Sequence, residues 1–155
     1  MIEKAVGGIP GRFEFLEHMS DVYVKAHGRS VIELFENSGL ALFEAMTDTS
    51  AVGRSVERIV EAEGFDLESL LYKWLENLLI LYYAEKIMCS EVEVTEFKAE
   101  KKEAGEEYKV RGVCRGEVFN PLVHEARVEI KSPTYSLMRI LKDVDKWTAY
   151  FVLDI

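Results

Sequence analysis

The segment from Phe13 to Asp48, FEFLEHMSDVYVKAHGRSVIELFENSGLALFEAMTD, constrains the fold most, because its hydrophobic period changes from two to 3.6 within one short run. Phe13 and Phe15 alternate with Arg12, Glu14 and Glu17, and Val22, Val24 and Ala26 alternate with Tyr23, Lys25 and His27. Two short half-buried strands therefore flank an acidic turn, Glu17 to Asp21. Gly28 closes the second strand. Ser30 followed three residues later by Glu33 is a capping box, in which each side chain satisfies a free amide of the first helical turn. A helix is predicted from Val31 to about Thr47, with Ile32, Phe35, Leu42, Phe43 and Met46 on its apolar face. Ser38 and Gly39 are small enough to admit a close neighbour.

The rest of the chain completes this unit. Gly7, Gly8, Pro10 and Gly11 give residues 1–11 the composition of a flexible N-terminal arm, which leaves a single folded domain over 12–155. Val56, Val60 and Ala62 alternate with glutamates and predict a strand that Gly64 ends. Asp66 caps a second helix whose stripe, Leu67, Leu70, Leu71, Trp74, Leu75, Leu78, Leu79 and Tyr82, is wide enough to be the main core element. Each such side chain contributes about 1.5 to 3 kcal/mol on burial, so Trp74→Ala threatens the fold itself. From Glu91 the period returns to two: Val92 and Val94, then Tyr108 to Val118, then Ala126, Val128 and Ile130, and finally Trp147 to Leu153. Lys98 to Glu107 reads as a charged hairpin tip around Gly105, and Asn120-Pro121 as a turn. The expectation is an α+β domain with two helices packed on a largely antiparallel β-sheet.

A chain of 155 residues fits one domain. Its formal charge of −9 argues against direct nucleic-acid binding, which draws on clustered Lys and Arg. No apolar run is long enough to cross a membrane, and no signal-peptide core opens the chain, so a cytoplasmic location is expected. Cys89 and Cys114 lack CxxC spacing and are read as reduced, buried thiols. No phosphate loop, nucleophile elbow, HExxH or paired Cys/His ligand set occurs, so the pattern does not announce an enzyme. The chemistry that stands out is a set of hard oxygen donors at strand ends: Asp21 heads one strand, while Asp154 and the main-chain carboxylate of Ile155 close the last. Brought together, they suit Ca²⁺, Mg²⁺ or Mn²⁺. Asp at a strand end is also a common turn former.

Several of these pieces resemble one family. Phe15-Leu16-Glu17-His18 to Asp21, followed by Ala26-x-Gly28, looks like the E/D-H-T-A-D-V…A-x-G opening of the archeases. Leu34-Phe35-Glu36, Ala41-Leu42-Phe43 and Met46-Thr47-Asp48 resemble the family's first helix, and Asp66-Leu67-x-x-Leu70-Leu71 with Leu75 its second. Lys131, Thr134-Tyr135-Ser136 and the closing Asp154-Ile155 are similar to its K-A-x-T-Y and terminal D-I. Met19-Ser20 and Pro133 depart from the usual pattern. The resemblance implies a small activator of the RtcB-type tRNA-splicing RNA ligase that promotes ligase guanylylation and multiple turnover without being an enzyme itself. It also implies a divalent cation, often Ca²⁺, held by Asp21, Asp154 and Ile155; Glu17 and Glu76 are further carboxylates that the chain itself offers. Three protein donors leave positions for water or another carboxylate. An alternative implication is a chaperone or specificity factor for RNA-modifying enzymes such as tRNA methyltransferases. Metal-assisted hydrolysis ranks last, for want of an evident base or nucleophile.

Overall fold

The computed structural model describes residues 4–18 and 20–155, and it opens with a hairpin where the Gly-rich start of the chain predicts a loose arm. Strand β1 (Ala5–Ile9) pairs antiparallel with β2 (Phe13–Leu16). Between them Pro10 and Gly11 occupy the central positions of a tight turn, in which Gly11 has φ +80° and the Arg12 N–H donates to the Ile9 carbonyl at 3.0 Å. Proline followed by a positive-φ glycine is the signature of a type II turn. Gly8 lies at φ +130°, where an added Cβ would collide with the backbone of Phe13 and Glu14. The glycines that suggest looseness are thus needed to turn and pair the chain, and the folded unit begins before residue 12. Residues 1–3 of the expected arm lie outside the described residues, as does Met19.

Strand β3 (Val22–Gly28) leads into α1 (Val31–Met46), whose start is capped by the Ser30 hydroxyl accepting the Glu33 N–H at 3.1 Å. The Glu33 carboxylate reaches back to the Arg29 N–H at 3.3 Å, one residue earlier than a standard capping box places it. A 3-10 turn (Thr49–Ala51) and β4 (Val56–Gly64) precede α2 (Leu67–Glu85), where Asp66 and Ser69 cap each other's backbone amides. Then follow β5 (Ile87–Lys102), β6 (Gly105–Val118), β7 (Ser132–Pro133), β8 (Arg139–Lys142) and β9 (Trp147–Asp154). The strands form two antiparallel sheets where the pattern suggested one. A six-stranded sheet runs β1-β2-β3-β9-β7 with β8 also on β9, and a three-stranded sheet runs β4-β6-β5. Helix α1 packs against β3 and β5, one strand from each sheet, and α2 packs mainly on β4. Trp74 is completely buried at the centre, and its indole N–H donates to the Phe35 carbonyl of α1 at 3.0 Å.

Three further expectations change. Residues 126–130 form no strand. Ala126 and Val128 are exposed and only Ile130 is buried, so the alternation there does not track burial. Isolated backbone bonds hold the segment instead, from the Arg127 N–H to Met46 and from the Lys131 N–H to Asp154. The charged run from Lys98 is mostly ladder: Lys102 pairs with Gly105, so the turn is only Glu103-Ala104. Finally, Cys89 and Cys114 are joined in a disulfide with their Cα atoms 5.5 Å apart. Register shifts between Val94 and Glu96, and again between Cys89 and Glu91, set Cys89 opposite Gly116. Cys114 is then two residues along β6 on the same face, and Gly116 carries no side chain to intervene.

Candidate functional site

The end of the larger sheet is built by pairing across the whole chain. Antiparallel register sets Val22 opposite Leu153, so Asp21 immediately precedes the first β3 pair and Asp154 immediately follows its β9 partner. The two acidic residues therefore stand at the same end of one ladder, although 133 positions separate them in sequence. Ile155 follows Asp154 and is 39% exposed.

The other flank of β9 is held by the Lys131 to Ser136 segment. The Lys131 N–H donates to the Asp154 carbonyl at 2.7 Å, and both the amide and the hydroxyl of Thr134 donate to Val152 at 3.0 Å. Ser132 pairs with Asp154 and Pro133 with Leu153. Tyr135 stacks on Tyr72 of α2 at 4.3 Å between centroids, which anchors this segment to the helix. Burial beside Tyr72 raises the Tyr135 phenol above its ordinary pKa. Beneath the end of the ladder, Leu16, Tyr23, Tyr150 and Val152 make a small apolar cluster, and the His18 ring meets Tyr23 edge-on at 5.7 Å. The acidic turn thus rests on a packed base.

Asp21 also lines a cavity of about 540 Å³ with Glu17, His18, Val6, Glu44 and Arg127. Glu44 is occupied: it accepts the amide and hydroxyl of Thr49 at 2.9 and 2.8 Å and pairs with Arg127 at 3.3 Å. Arg127 also donates to the Glu44 carbonyl at 2.8 Å, tying the 126–130 segment to the end of α1. Among the described residues, neither Glu17 nor Asp21 forms an ion pair.

Of the sequence-predicted donors, Asp21, Asp154 and Ile155 are brought to one ladder end, and Glu17 shares the Asp21 cavity. Glu76 sits on α2 in an exposed pair with Lys73 at 2.6 Å. No group of three or more His, Cys, Asp or Glu side chains among the described residues is arranged for a metal ion. The candidate set differs in kind, being the carboxylate side chains of Asp21 and Asp154 with main-chain oxygen at Ile155, all hard oxygen donors of the type that suits Ca²⁺, Mg²⁺ or Mn²⁺. Sequence reasoning missed Arg127, hidden in a strand-like alternation, and missed β1, which the Pro10-Gly11 pair could have flagged as a turn. Among the described residues no helix is long and apolar enough to cross a membrane.

Comparison with known proteins gives a consistent picture. The model of the archease protein family matches residues 13–155. Protein archease of Sulfurisphaera tokodaii is 40% identical over 144 residues, covering 93% of this chain and 99% of its own. Protein archease-like of Drosophila melanogaster is 37% identical over 149 residues, covering 93% and 90%. The solution structure of Methanobacterium thermoautotrophicum protein 1598 superposes with a TM-score of 0.72 at 36% identity, over 92% of this chain and 98% of that one. The crystal structure of an archease from Thermotoga maritima, described as a possible chaperone, shares the fold with a TM-score of 0.56 at 22% identity, over 90% and 94%.

Proposed function

The chain belongs to the archease family, and we propose that it is a metal-binding protein cofactor that activates the RtcB-type RNA ligase of tRNA splicing, promoting ligase guanylylation and repeated turnover. The observation that carries this reading is the clamped end of β9. The residues of the family-like Lys131…Thr134-Tyr135 segment bond to the carbonyls of Val152 and Asp154, beside the strand that begins after Asp21. Much of the pattern shared with the family thus serves to fix one acidic corner.

In this reading Asp21, Asp154 and the main-chain carboxylate of Ile155 hold a divalent cation such as Ca²⁺, Mn²⁺ or Mg²⁺, with water in the remaining positions. The ion supplies a concentrated positive charge that offsets neighbouring carboxylates and attracts further oxygen ligands. The protein's own contribution is to hold its donors at the end of a rigid ladder, where their geometry is preset. The acidic surface suits docking on a basic RNA enzyme without competing for RNA.

The test is multiple-turnover RNA ligation by the cognate ligase with GTP and Mn²⁺, comparing native protein, Asp21→Ala, and a version extended by a few residues after Ile155. Native protein is expected to stimulate, and both variants to fail. Asp21→Ala should melt with the native protein in chelator yet lose any rise in Tm on adding Ca²⁺, which separates lost metal from lost fold. Equal stimulation by all three proteins removes the acidic corner from the mechanism. No stimulation by any points to the chaperone reading, which predicts suppressed aggregation of a tRNA methyltransferase that does not depend on Asp154.

A further inference from the structure

Sheet edges differ sharply in how they are protected. An edge strand offers unpaired N–H and C=O groups to any extended chain, and proteins blunt such edges with charge, proline, bulges or short length. In the smaller sheet, β4 carries Glu57, Arg58, Glu61 and Glu63, and on β5 the Glu36 carboxylate of α1 takes up the Val94 N–H at 2.9 Å. In the larger sheet, β7 is two residues long and contains Pro133, while β8 begins with Arg139 and ends with Lys142.

Strand β1 has a bulge near its start but neither charge nor proline. Its sequence is Ala-Val-Gly-Gly-Ile, and no strand among the described residues pairs with its outer edge. Ala5 to Gly8 are exposed, and Val6 is 62% exposed. The cavity of about 540 Å³ opens beside this edge, since Val6, Gly7 and Gly8 line it together with Glu17 and Asp21. Among the described residues that line it, the one Lys or Arg is Arg127, which is held by Glu44 and Glu125, and neither Glu17 nor Asp21 forms an ion pair.

We infer that β1 is a docking edge for an extended, basic segment of a partner protein, which adds to the sheet as a further strand and places a Lys or Arg side chain in the adjoining cavity between Glu17 and Asp21. Backbone pairing supplies affinity, and the cavity selects the side chain. Charge complementarity decides the occupant: a second copy of this chain would bring a net charge of −9 to an acidic cavity, whereas a cationic strand relieves it. This inference requires neither RNA nor a metal, but it shares Asp21 with the metal reading, so a bound divalent cation competes with the guest side chain and the experiment is run in chelator and again with Ca²⁺.

The experiment is fluorescence anisotropy on the intact protein at low salt, with a labelled probe peptide of about eight residues alternating Val and Lys. One control carries Glu in place of Lys, and another is N-methylated at alternate backbone amides. The Val/Lys peptide should bind, with each control weaker by about tenfold or more. Val6→Lys sets a cation on the exposed edge and should weaken binding by about tenfold, and Glu17→Gln by a smaller factor. The N-methylated control tests the edge without altering the protein's own fold. No binding of the Val/Lys peptide overturns the inference, and so does equal binding of the N-methylated peptide. A dimer seen by sedimentation that Val6→Lys dissolves also overturns it, in favour of a second copy.

Discussion

Reducing the Cys89–Cys114 disulfide should measurably destabilise the protein, by an amount the chain connectivity sets. The bridge spans a sequence separation of 25 residues and lies wholly inside the core, with both cysteines fully buried. In the chain-entropy treatment, a loop of that length lowers the entropy of the unfolded state enough to stabilise the fold by about 3.5 kcal/mol at 25 °C. Because β5 and β6 are joined by a tight turn, residual hairpin in the unfolded chain would shrink the effect. The assay is equilibrium urea unfolding with and without a phosphine reductant, with intact mass confirming the redox state on each side. With slopes of roughly 1 to 3 kcal/mol per molar urea, the midpoint should fall by about 1 to 3.5 M. Reduction should also raise the slope, since the freed chain exposes more surface when unfolded. Superimposable curves for confirmed disulfide and dithiol forms would refute the argument. A drop of only about 1 kcal/mol would instead measure the residual hairpin.

Two other changes probe the packing between layers. At Gly39 an added Cβ would lie 2.9 Å from Leu78 Cδ1 and 3.1 Å from Val92 Cγ1, so Gly39→Ala should cost about 1 to 3 kcal/mol from overpacking, against a helix-propensity gain of up to about 1. A rise in Tm would show that α1, α2 and β5 can separate freely. Glu36 has its pKa raised above 4.5, chiefly by burial, although its bond from the Val94 N–H pulls the other way. A raised folded-state pKa means that the native state holds the proton more tightly, so this group's stabilisation is present at low pH and lost as pH rises through the folded value. Glu36→Gln keeps an acceptor for Val94, so its Tm should gain on the native protein between about pH 4 and pH 7. A constant difference by calorimetry would sink that assignment.

Much of the local structure is legible in the sequence because it is locally caused. Helix α1 starts at Val31 because Ser30 supplies the cap, and α2 buries the stripe that its spacing predicts around Trp74. Strands β3 and β4 broadly follow their alternation, and β9 forms where its alternation predicts a strand, although it is buried on both faces from Ala149 to Leu153. What escapes is whatever depends on register. The disulfide needs two shifts in the β5–β6 ladder before Cys89 meets Cys114; each falls opposite a glycine of β6, Gly112 or Gly116, but the shifted residues of β5 itself include no Gly or Pro. Strand β8 carries no clean alternation, with Ile140 half-buried beside the exposed Leu141.

The candidate site divides in the same way. Asp21 and Asp154 each stand out as acids at strand ends, but their meeting depends on β9 lying beside β3, a pairing between the two ends of the fold that no local pattern encodes. The 126–130 segment shows why alternation alone misleads there. Its spacing imitates a strand, yet only Ile130 enters the core. Its backbone and Arg127 are instead spent on Met46 and Glu44, at the end of α1. That anchoring lets the chain arrive at Lys131 already aligned to bond Asp154, so a stretch that looks like sheet acts as the brace that sets the acidic end of β9.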